Sequence, residues 1–336
     1  MLKLLFFFIF TIGFVFAQQS VGQFHNFNSP RLARSLALGN SYTGVAEGIE
    51  TIHYNDAGLA TSSEVSFYYS NGEGWPITKE LNSHNFGVLV PFFGTQGAIA
   101  FSANTLGIDD PEFKYSIYQI HAGKGFGNNL AFGTSFNIYS ISTSDIETSP
   151  AYDFSISALY FPNNLFGSKI VHNLRAGFQF QNVLGSHVKW SGYDSEPIFQ
   201  TIRTGLSLRS SLNQYISSIL VASDVITEGS EYDFEYWQVN FGIELELLHY
   251  LYFRYGRESK YSGNSSGYTE LFPINRFGVG VAIPVNKVLG THYALNIKFD
   301  LGRSDWNINE SEYDEEVSQY NGIRRNIYSF QIQYQK

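Results

Sequence analysis

The sequence predicts an all-β protein: a 14-stranded antiparallel transmembrane β-barrel with an N-terminal hatch that contains a short helix. The first observation is strict alternation. From residue 328 to residue 335, aromatic or aliphatic side chains alternate with serine and glutamine, and residues 237–247 and 293–302 repeat the pattern. Strand side chains point to opposite faces with a period of two, so each segment has one apolar and one polar face. The second observation is composition: aromatic residues are 17% and charged residues only 15%, against about 25% charged in soluble domains.

The third observation is a secretory start. Met1 and Lys3 precede an apolar run over residues 4–16, with Val15 and Ala17 at the −3 and −1 positions. We expect residues 1–17 to be a signal peptide that is cleaved before Gln18, so the mature protein leaves the cytoplasm. Beyond it, no apolar run approaches the roughly 18–20 residues of a membrane helix. A membrane-embedded chain would therefore have to span as a closed barrel.

Residues 18–63 do not alternate, and we predict that they form a hatch inside the barrel. Ser29 and Pro30 are typical of a helix start, residues 31–38 have helical spacing, and Gly39 is placed to end the helix. A segment of this size suits a barrel well above eight strands, whose wall side chains cannot fill its interior. The alternative is a periplasmic or partly disordered extension.

The barrel is predicted over residues 64–336. Strands are expected near 64–70, 84–92, 96–105, 115–126, 129–141, 150–161, 173–184, 197–209, 215–226, 234–247, 250–258, 275–284, 292–303 and 322–335. The even number fits a bacterial outer-membrane barrel, as does the alternation of tight connections with long ones. The long connections are expected at 109–114, 185–197, 258–274 and 303–321.

Charges of both signs fall on the predicted inward faces, where they would pair with one another and with the hatch. These lumen charges are Arg175, Arg203, Arg209, Glu244, Glu246, Arg254, Lys298 and Asp300. Arg31 and Arg34 of the hatch helix could meet Glu244, Glu246 or Asp300, or could face water. A filled interior slightly favours a binding or scaffold barrel over a transporter.

Acidic residues concentrate in the predicted outer loops. They are Asp109, Asp110, Glu112, Glu228, Glu231, Asp233, Asp305, Glu310, Glu312, Asp314, Glu315 and Glu316. Such a rim could bridge to lipopolysaccharide through divalent cations or bind a basic partner, and a merely solvated loop explains it equally well. The net charge of −9 argues against a nucleic-acid partner.

The sequence predicts no enzyme, metal site or cofactor. Cysteine is absent, which excludes thiolate zinc sites, a cysteine nucleophile and disulfides. The eight histidines are scattered, and His187 near Asp194 and Glu196 is the one catalytic pairing that can be suggested. The spacing of the 314–316 carboxylates matches no calcium loop.

Two segments resemble a known family. Residues 33–48, ARSLALGNSYTGVAEG, and 52–60, IHYNDAGLA, resemble the N-terminal signature of the PorV/PorQ family, relatives of the FadL-type outer-membrane transporters. In that family the signature belongs to the hatch of a fourteen-stranded barrel. The corresponding hatch motif here is Arg31, Arg34, Gly39, Asn55, Asp56, Ala57 and Gly58. Asp56 stands where the family has Pro, and because Asp is a good turn former we expect the turn to persist.

The resemblance implies two alternative functions. PorV-like members are docking or shuttle components of the type IX secretion system, with secreted cargo and other secretion proteins as partners. FadL-like members are channels for fatty acids and other hydrophobic small molecules. Either role places the chain in the outer membrane of a Gram-negative bacterium, of Bacteroidetes type for the first, with a periplasmic N-terminus and with outer-membrane lipid around it.

Overall fold

The computed structural model shows a closed antiparallel barrel of fourteen strands. It describes residues 32–73, 82–92, 95–108, 113–143, 148–162, 171–190, 195–213, 215–230, 233–264, 267–285, 294–306 and 324–335. The strands are β1 (Val65–Glu73), β2 (Asn82–Pro91), β3 (Gly97–Ile108), β4 (Phe113–Phe126), β5 (Leu130–Thr143), β6 (Thr148–Ser149), β7 (Ala151–Tyr160), β8 (Val171–Gln181), β9 (His187–Trp190), β10 (Glu196–Pro197), β11 (Gln200–Ser210), β12 (Ile216–Ser230), β13 (Asp233–Leu247), β14 (Leu251–Asn264), β15 (Gly267–Pro284), β16 (Ala294–Trp306) and β17 (Arg324–Gln335). All except β6, β9 and β10 belong to the barrel.

The barrel closes where its first strand pairs with its last. β1 and β17 run antiparallel, with Val65 opposite Tyr334, and every other barrel strand pairs with its neighbours along the chain. Closure means that no barrel strand lies at the edge of an open sheet. Within the described ranges, no helix is both long enough and apolar enough to cross a membrane.

The two faces of the wall differ as the alternation predicts. In β17, Tyr328 is 48% exposed, whereas its neighbour Ser329 is 5% exposed and Gln331 is 4% exposed. The outer face carries large exposed hydrophobic side chains on most strands, among them Ile99, Phe101, Ile120, Phe132, Phe136, Leu206, Phe241, Phe253, Phe277, Val279 and Phe299. Such a surface suits acyl chains, while the polar side chains line the interior.

The predicted fold class and strand number are confirmed, but several boundaries are wrong. The long connection expected over 258–274 is mostly strand, because β14 runs to Asn264 and β15 begins at Gly267. Glu228, expected in an outer loop, lies in β12 and is 5% exposed. Beyond the lipid band the outer face need not be apolar, so alternation fades while backbone pairing continues. The short strands β6, β9 and β10 were also missed, because two to four residues carry no detectable period.

The hatch begins, in the described part, with one short helix. Helix α1 (Ala33–Ala37) follows Leu32, which is extended at φ −131° and ψ 147°. Within the predicted helical stretch 31–38, the described helix therefore covers only Ala33–Ala37; the predicted helix start at Ser29 and Pro30 lies outside the described residues, as does Arg31. The Leu32 side chain packs in a buried apolar cluster with Ile49 and Ile52.

A glycine cap ends this helix. Gly39 has φ +63°, and its N–H donates to Leu36 O at 2.9 Å, while Asn40 N–H donates to Ser35 O at 2.9 Å. This pair of bonds is a Schellman motif, which satisfies carbonyls at the helix end and favours glycine at the left-handed position.

The rest of the hatch winds across the interior as two short 3-10 helices, Ile49–His53 and Asp56–Thr61. Helix α1 contacts β14 to β17, and the second 3-10 helix contacts β3, β4, β5 and β7. Residues 32–60 are buried, apart from three half-buried positions. The described part of the hatch therefore occupies the barrel lumen. Residues 1–31, with the predicted signal peptide, lie outside the described residues.

Candidate functional site

The hatch backbone lies directly against glycines of the wall. A Cβ added to Gly177 would be 2.0 Å from Thr43 O, and one on Gly256 would be 2.1 Å from Gly39 N. Eight inward-facing glycines touch the hatch in this way, and we call them the glycine belt: Gly123, Gly133, Gly177, Gly205, Gly242, Gly256, Gly278 and Gly302. Only glycine permits such close approach of two backbones.

The belt is built from four cross-strand pairs. Gly123 stands opposite Gly133, Gly177 opposite Gly205, Gly242 opposite Gly256, and Gly278 opposite Gly302. Each pair removes two neighbouring side chains from the inner wall and leaves a shallow seat for one stretch of hatch. Sequence reasoning missed the belt, although glycines at inward positions of predicted strands were the available signal.

Between the hatch and the wall lies a set of ion pairs. Arg34 of helix α1 places Nε 2.8 Å from Glu244 Oε2. Arg254 places Nε 2.6 Å from the same oxygen and Nη1 2.6 Å from Asp300 Oδ1. The Glu244 side chain is 1% exposed and that of Arg254 is 2% exposed. Buried pairs are costly to break, because removing one partner leaves an uncompensated charge.

Glu47 of the hatch extends this set toward β8 and β11. Its carboxylate lies 2.7 Å from Arg209, 3.4 Å from Arg34 and 3.7 Å from Arg175. Burial would raise the pKa of the Glu47 carboxyl, but these three guanidiniums together lower it below its ordinary value. Arg209 also lies 3.8 Å from Glu246.

We call these eight residues the charge network: four arginines (Arg34, Arg175, Arg209, Arg254) and four carboxylates (Glu47, Glu244, Glu246, Asp300). Its charges balance one for one, so it ties the hatch to the wall without a net charge of its own. Seven of these eight residues belong to the lumen charges or the hatch motif that the sequence predicted, and Glu47 was missed. Arg31 lies outside the described residues.

Two predicted lumen charges stay out of the network. Arg203 is 2% exposed, and its Nε and Nη1 have no hydrogen-bond partner in the described part of the chain. Its guanidinium lies 5.6 Å from the centroid of the Tyr54 ring, a cation–π contact. Lys298 makes no ion pair with any described residue.

The expected turn at residues 55–58 forms the start of the second 3-10 helix, with Asp56 as its first residue. Asn55 Oδ1 accepts from Ala57 N at 3.2 Å, and Asn55 Nδ2 donates to Thr43 O at 2.9 Å. Gly58 has no room for a Cβ, which would lie 2.2 Å from Thr51 Oγ1.

Asp56 also reaches the wall, a contact that the sequence did not predict. Its Oδ1 lies 2.7 Å from His121 Nδ1, and His121 Nε2 lies 3.0 Å from Ser102 Oγ. The order Asp, His, Ser is that of a hydrolase triad, yet all three residues are 0% exposed. A triad needs a substrate beside its serine, so in this structure the three residues form a hydrogen-bonded link between the hatch, β4 and β3.

On the long-loop side of the hatch, the interior is apolar. Tyr115, Ile117, Tyr139, Ile141, Ala151, Val188 and Ile198 form one buried group, which we call the apolar cluster. Val188 and Ile198 come from the connection between β8 and β11, which folds inward.

The wall beside this cluster is incompletely paired. β7 pairs with β8 only over residues 156–160, although it pairs with β5 from residue 151 onward. Instead, Asp153 accepts the N–H groups of Leu184 and Ser186 at 3.0 Å each. At this point of the wall, hydrogen bonds from the loop backbone to the Asp153 side chain therefore replace backbone hydrogen bonds between strands.

A polar cavity of about 410 Å³ lies near the opposite end of the barrel, where the tight turn at residues 248–250 also lies. Hatch residues and the inner faces of strands line it, among them Glu50, Lys298 and much of the charge network. The described residues contain no group of three or more His, Asp or Glu side chains that could hold a metal ion.

No protein-family model matches the chain, and no curated protein matches it. Solved structures do. A deltaS2S3 mutant of the TodX monoaromatic hydrocarbon channel matches with a TM-score of 0.51 and 10% identity, over 90% of this chain and 97% of that one. A deltaS2 mutant matches with a TM-score of 0.51 and 9% identity, over 91% and 98%. A FadL homologue of Pseudomonas aeruginosa has a TM-score of 0.49 and 9% identity, over 95% and 99%.

The chain shares its overall fold with the two TodX mutant structures. At these identities the likeness concerns architecture alone. The finer resemblance of residues 33–60 to the PorV/PorQ signature gains no support from a family model.

Proposed function

We propose that the chain is a plugged, non-enzymatic barrel of the outer membrane of a Gram-negative bacterium of Bacteroidetes type. We further propose that it docks secreted proteins as a component of the type IX secretion system. In this proposal the N-terminus is periplasmic, outer-membrane lipid surrounds the apolar wall, and lipopolysaccharide contacts the long loops.

One observation carries the proposal: the hatch is fixed in the lumen by its backbone as well as by its side chains. The glycine belt receives it at eight positions, and the charge network ties it to five strands. A solute channel has to clear a path through its lumen, whereas a docking barrel can keep its lumen filled. The resemblance of residues 33–60 to the PorV/PorQ signature supports the same choice.

The test compares a deletion strain with strains that carry the chain or a variant. We expect that deletion removes cargo from the cell surface. We also expect that the tagged chain co-purifies with secretion proteins or cargo from solubilised outer membranes. A deletion strain with normal surface cargo, together with a tagged chain that brings down no secretion protein, would refute docking.

A second candidate is a FadL-like conduit for hydrophobic small molecules. The apolar cluster favours it, since Ile117 and Tyr139 lie in the lumen next to the incompletely paired β7–β8 wall. The solved TodX structures are described as monoaromatic hydrocarbon channels, which gives toluene as a probe.

The matched variants Ile117→Ala, in the apolar cluster, and Ile99→Ala, on the outer face where Ile99 is 45% exposed, separate the two candidates. A conduit requires toluene uptake that Ile117→Ala changes and Ile99→Ala does not. Docking requires that both variants restore surface cargo to the deletion strain.

A further inference from the structure

We propose that the cavity near the 248–250 turn binds a small zwitterionic solute, with the solute's carboxylate on Lys298 and its ammonium group on Glu50. This inference is independent of the docking function. It rests on two side chains of opposite charge that line the same cavity. Among the described residues, one carboxylate oxygen of Glu50 has no hydrogen-bond partner and Lys298 has no ion-pair partner.

Glu50 is the anionic half of the site. It lies in the first 3-10 helix of the hatch and is 2% exposed. Its Oε1 accepts a hydrogen bond from Gln331 Nε2 at 2.7 Å, while its Oε2 has no hydrogen-bond partner among the described residues. An unpartnered buried carboxylate oxygen costs free energy. Burial raises the pKa of the Glu50 carboxyl, and Arg34 only partly opposes that shift.

Lys298 is the cationic half. It projects inward from β16, between the outward-facing Ile297 and Phe299, and lines the same cavity as Glu50. All four arginines of the charge network are already paired with carboxylates. Lys298 is therefore the cavity-lining lysine or arginine that pairs with no described carboxylate.

Gln331 sets the spacing between the two halves. It stands directly opposite Lys298 in the β16–β17 ladder, where Cβ atoms are about 4.5–5.5 Å apart, and it also holds Glu50. The two charges are thus near neighbours, yet no ion pair joins them. A molecule that carries an ammonium and a carboxylate on one carbon would reach both.

The size and polarity of the cavity agree with such a ligand. Its volume of about 410 Å³ lies at the small end of the range of about 300–1,000 Å³ for ligand sites. Asn296, Gln333 and Ser62 add polar groups to the lining. Because Glu50 belongs to the hatch and Lys298 to the wall, a bound zwitterion would add one more link between them.

The test uses three probes on the purified full chain in detergent: L-alanine, propionate and ethylamine. Propionate lacks the ammonium group of alanine, and ethylamine lacks its carboxylate. Binding is followed by saturation-transfer NMR and by calorimetry. Alanine is expected to bind at millimolar concentration or below, and each half-probe about tenfold more weakly or worse, because each loses one charge-assisted contact.

Variants then assign each contact. Lys298→Met is expected to weaken alanine about tenfold and leave ethylamine unchanged, whereas Glu50→Gln is expected to weaken alanine and leave propionate unchanged. Lys124→Met is the control, since Lys124 is exposed and does not line the cavity. Equal binding of all three probes, binding that survives both cavity variants, or no binding of alanine overturns the proposal. Thermal melts of each variant show whether a loss of binding is only a loss of fold.

Discussion

Substituting Gly177 by alanine is the most direct perturbation of the hatch seat. The new Cβ would lie 2.0 Å from Thr43 O and 2.6 Å from Asn55 Nδ2, where real contacts stay beyond 3.0 Å. The hatch and β8 must therefore separate by about 1 Å, because close-packed interiors hold no spare room. Overpacking of this kind costs about 1–3 kcal/mol. Straining the Asn55–Thr43 hydrogen bond adds about 1 kcal/mol, so we expect a loss of about 2–4 kcal/mol.

The assay is urea unfolding of the refolded protein in detergent, combined with limited trypsin digestion. If the hatch is displaced, cleavage after Arg34 becomes faster, since that residue is now held against Glu244. Ala176→Val is the matched control, because Ala176 neighbours Gly177 on the outer face of β8 and added carbons there meet no hatch. The reasoning is refuted if Gly177→Ala unfolds at the same urea concentration as the control and Arg34 stays protected.

Three further outcomes are expected. Arg254→Met should cost about 3–5 kcal/mol in urea unfolding, because it leaves the buried Asp300 carboxylate without its ion-pair partner and removes one of the guanidiniums that contact Glu244. Arg203→Met should cost less, because Nε and Nη1 of Arg203 have no hydrogen-bond partner among the described residues; equal losses would contradict the assigned pairing. Glu50→Gln should stabilise the protein at pH 7. Because the pKa of Glu50 is raised in the folded state, ionisation of Glu50 lowers the free energy of unfolding as the pH rises above the pKa of Glu50 in the unfolded chain. The advantage of the Gln variant should therefore vanish below about pH 4, and a stability difference that does not change with pH would contradict this reasoning. Asp56→Pro should destabilise the protein by about 1–3 kcal/mol, because it removes the partner of the buried His121 Nδ1. Adding His121→Phe should recover part of the loss; additive losses in the double variant would show that the two residues are not coupled.

The sequence predicted the barrel well because the physical cause is local. Lipid on one side and polar lumen on the other impose a period of two on every strand, and that period is visible without knowing any contact. The positions of Ser329 and Gln331, inward, and Tyr328, outward, follow from it directly. The lumen position of Glu244, Arg254 and Asp300 follows in the same way.

The partners of those charges could not be predicted, because pairing across a barrel depends on register and on the path of the hatch. Arg34 is 210 residues from Glu244, and Arg203 shares the inward face of β11 with Arg209 yet forms no ion pair with any residue that the structure describes. The hydrogen-bonded link from Asp56 through His121 to Ser102 could not be predicted from the sequence for the same reason. Three elements that are distant in sequence meet there, and no residue spacing records their approach.

Alternation of polar and apolar residues does not fully determine the register of neighbouring strands, and the glycine belt removes the remaining ambiguity. A slip of one residue between neighbouring strands turns every side chain to the wrong face and is strongly opposed. A slip of two residues keeps all faces correct, so the polar and apolar pattern does not detect it. The same slip would separate Gly177 from Gly205 and Gly242 from Gly256, and would place side chains where Thr43 and Gly39 now contact the wall. The hatch can thus pack fully against the wall only when the strands are in the observed register. The free energy gained by burying the hatch therefore favours this register over registers shifted by two residues.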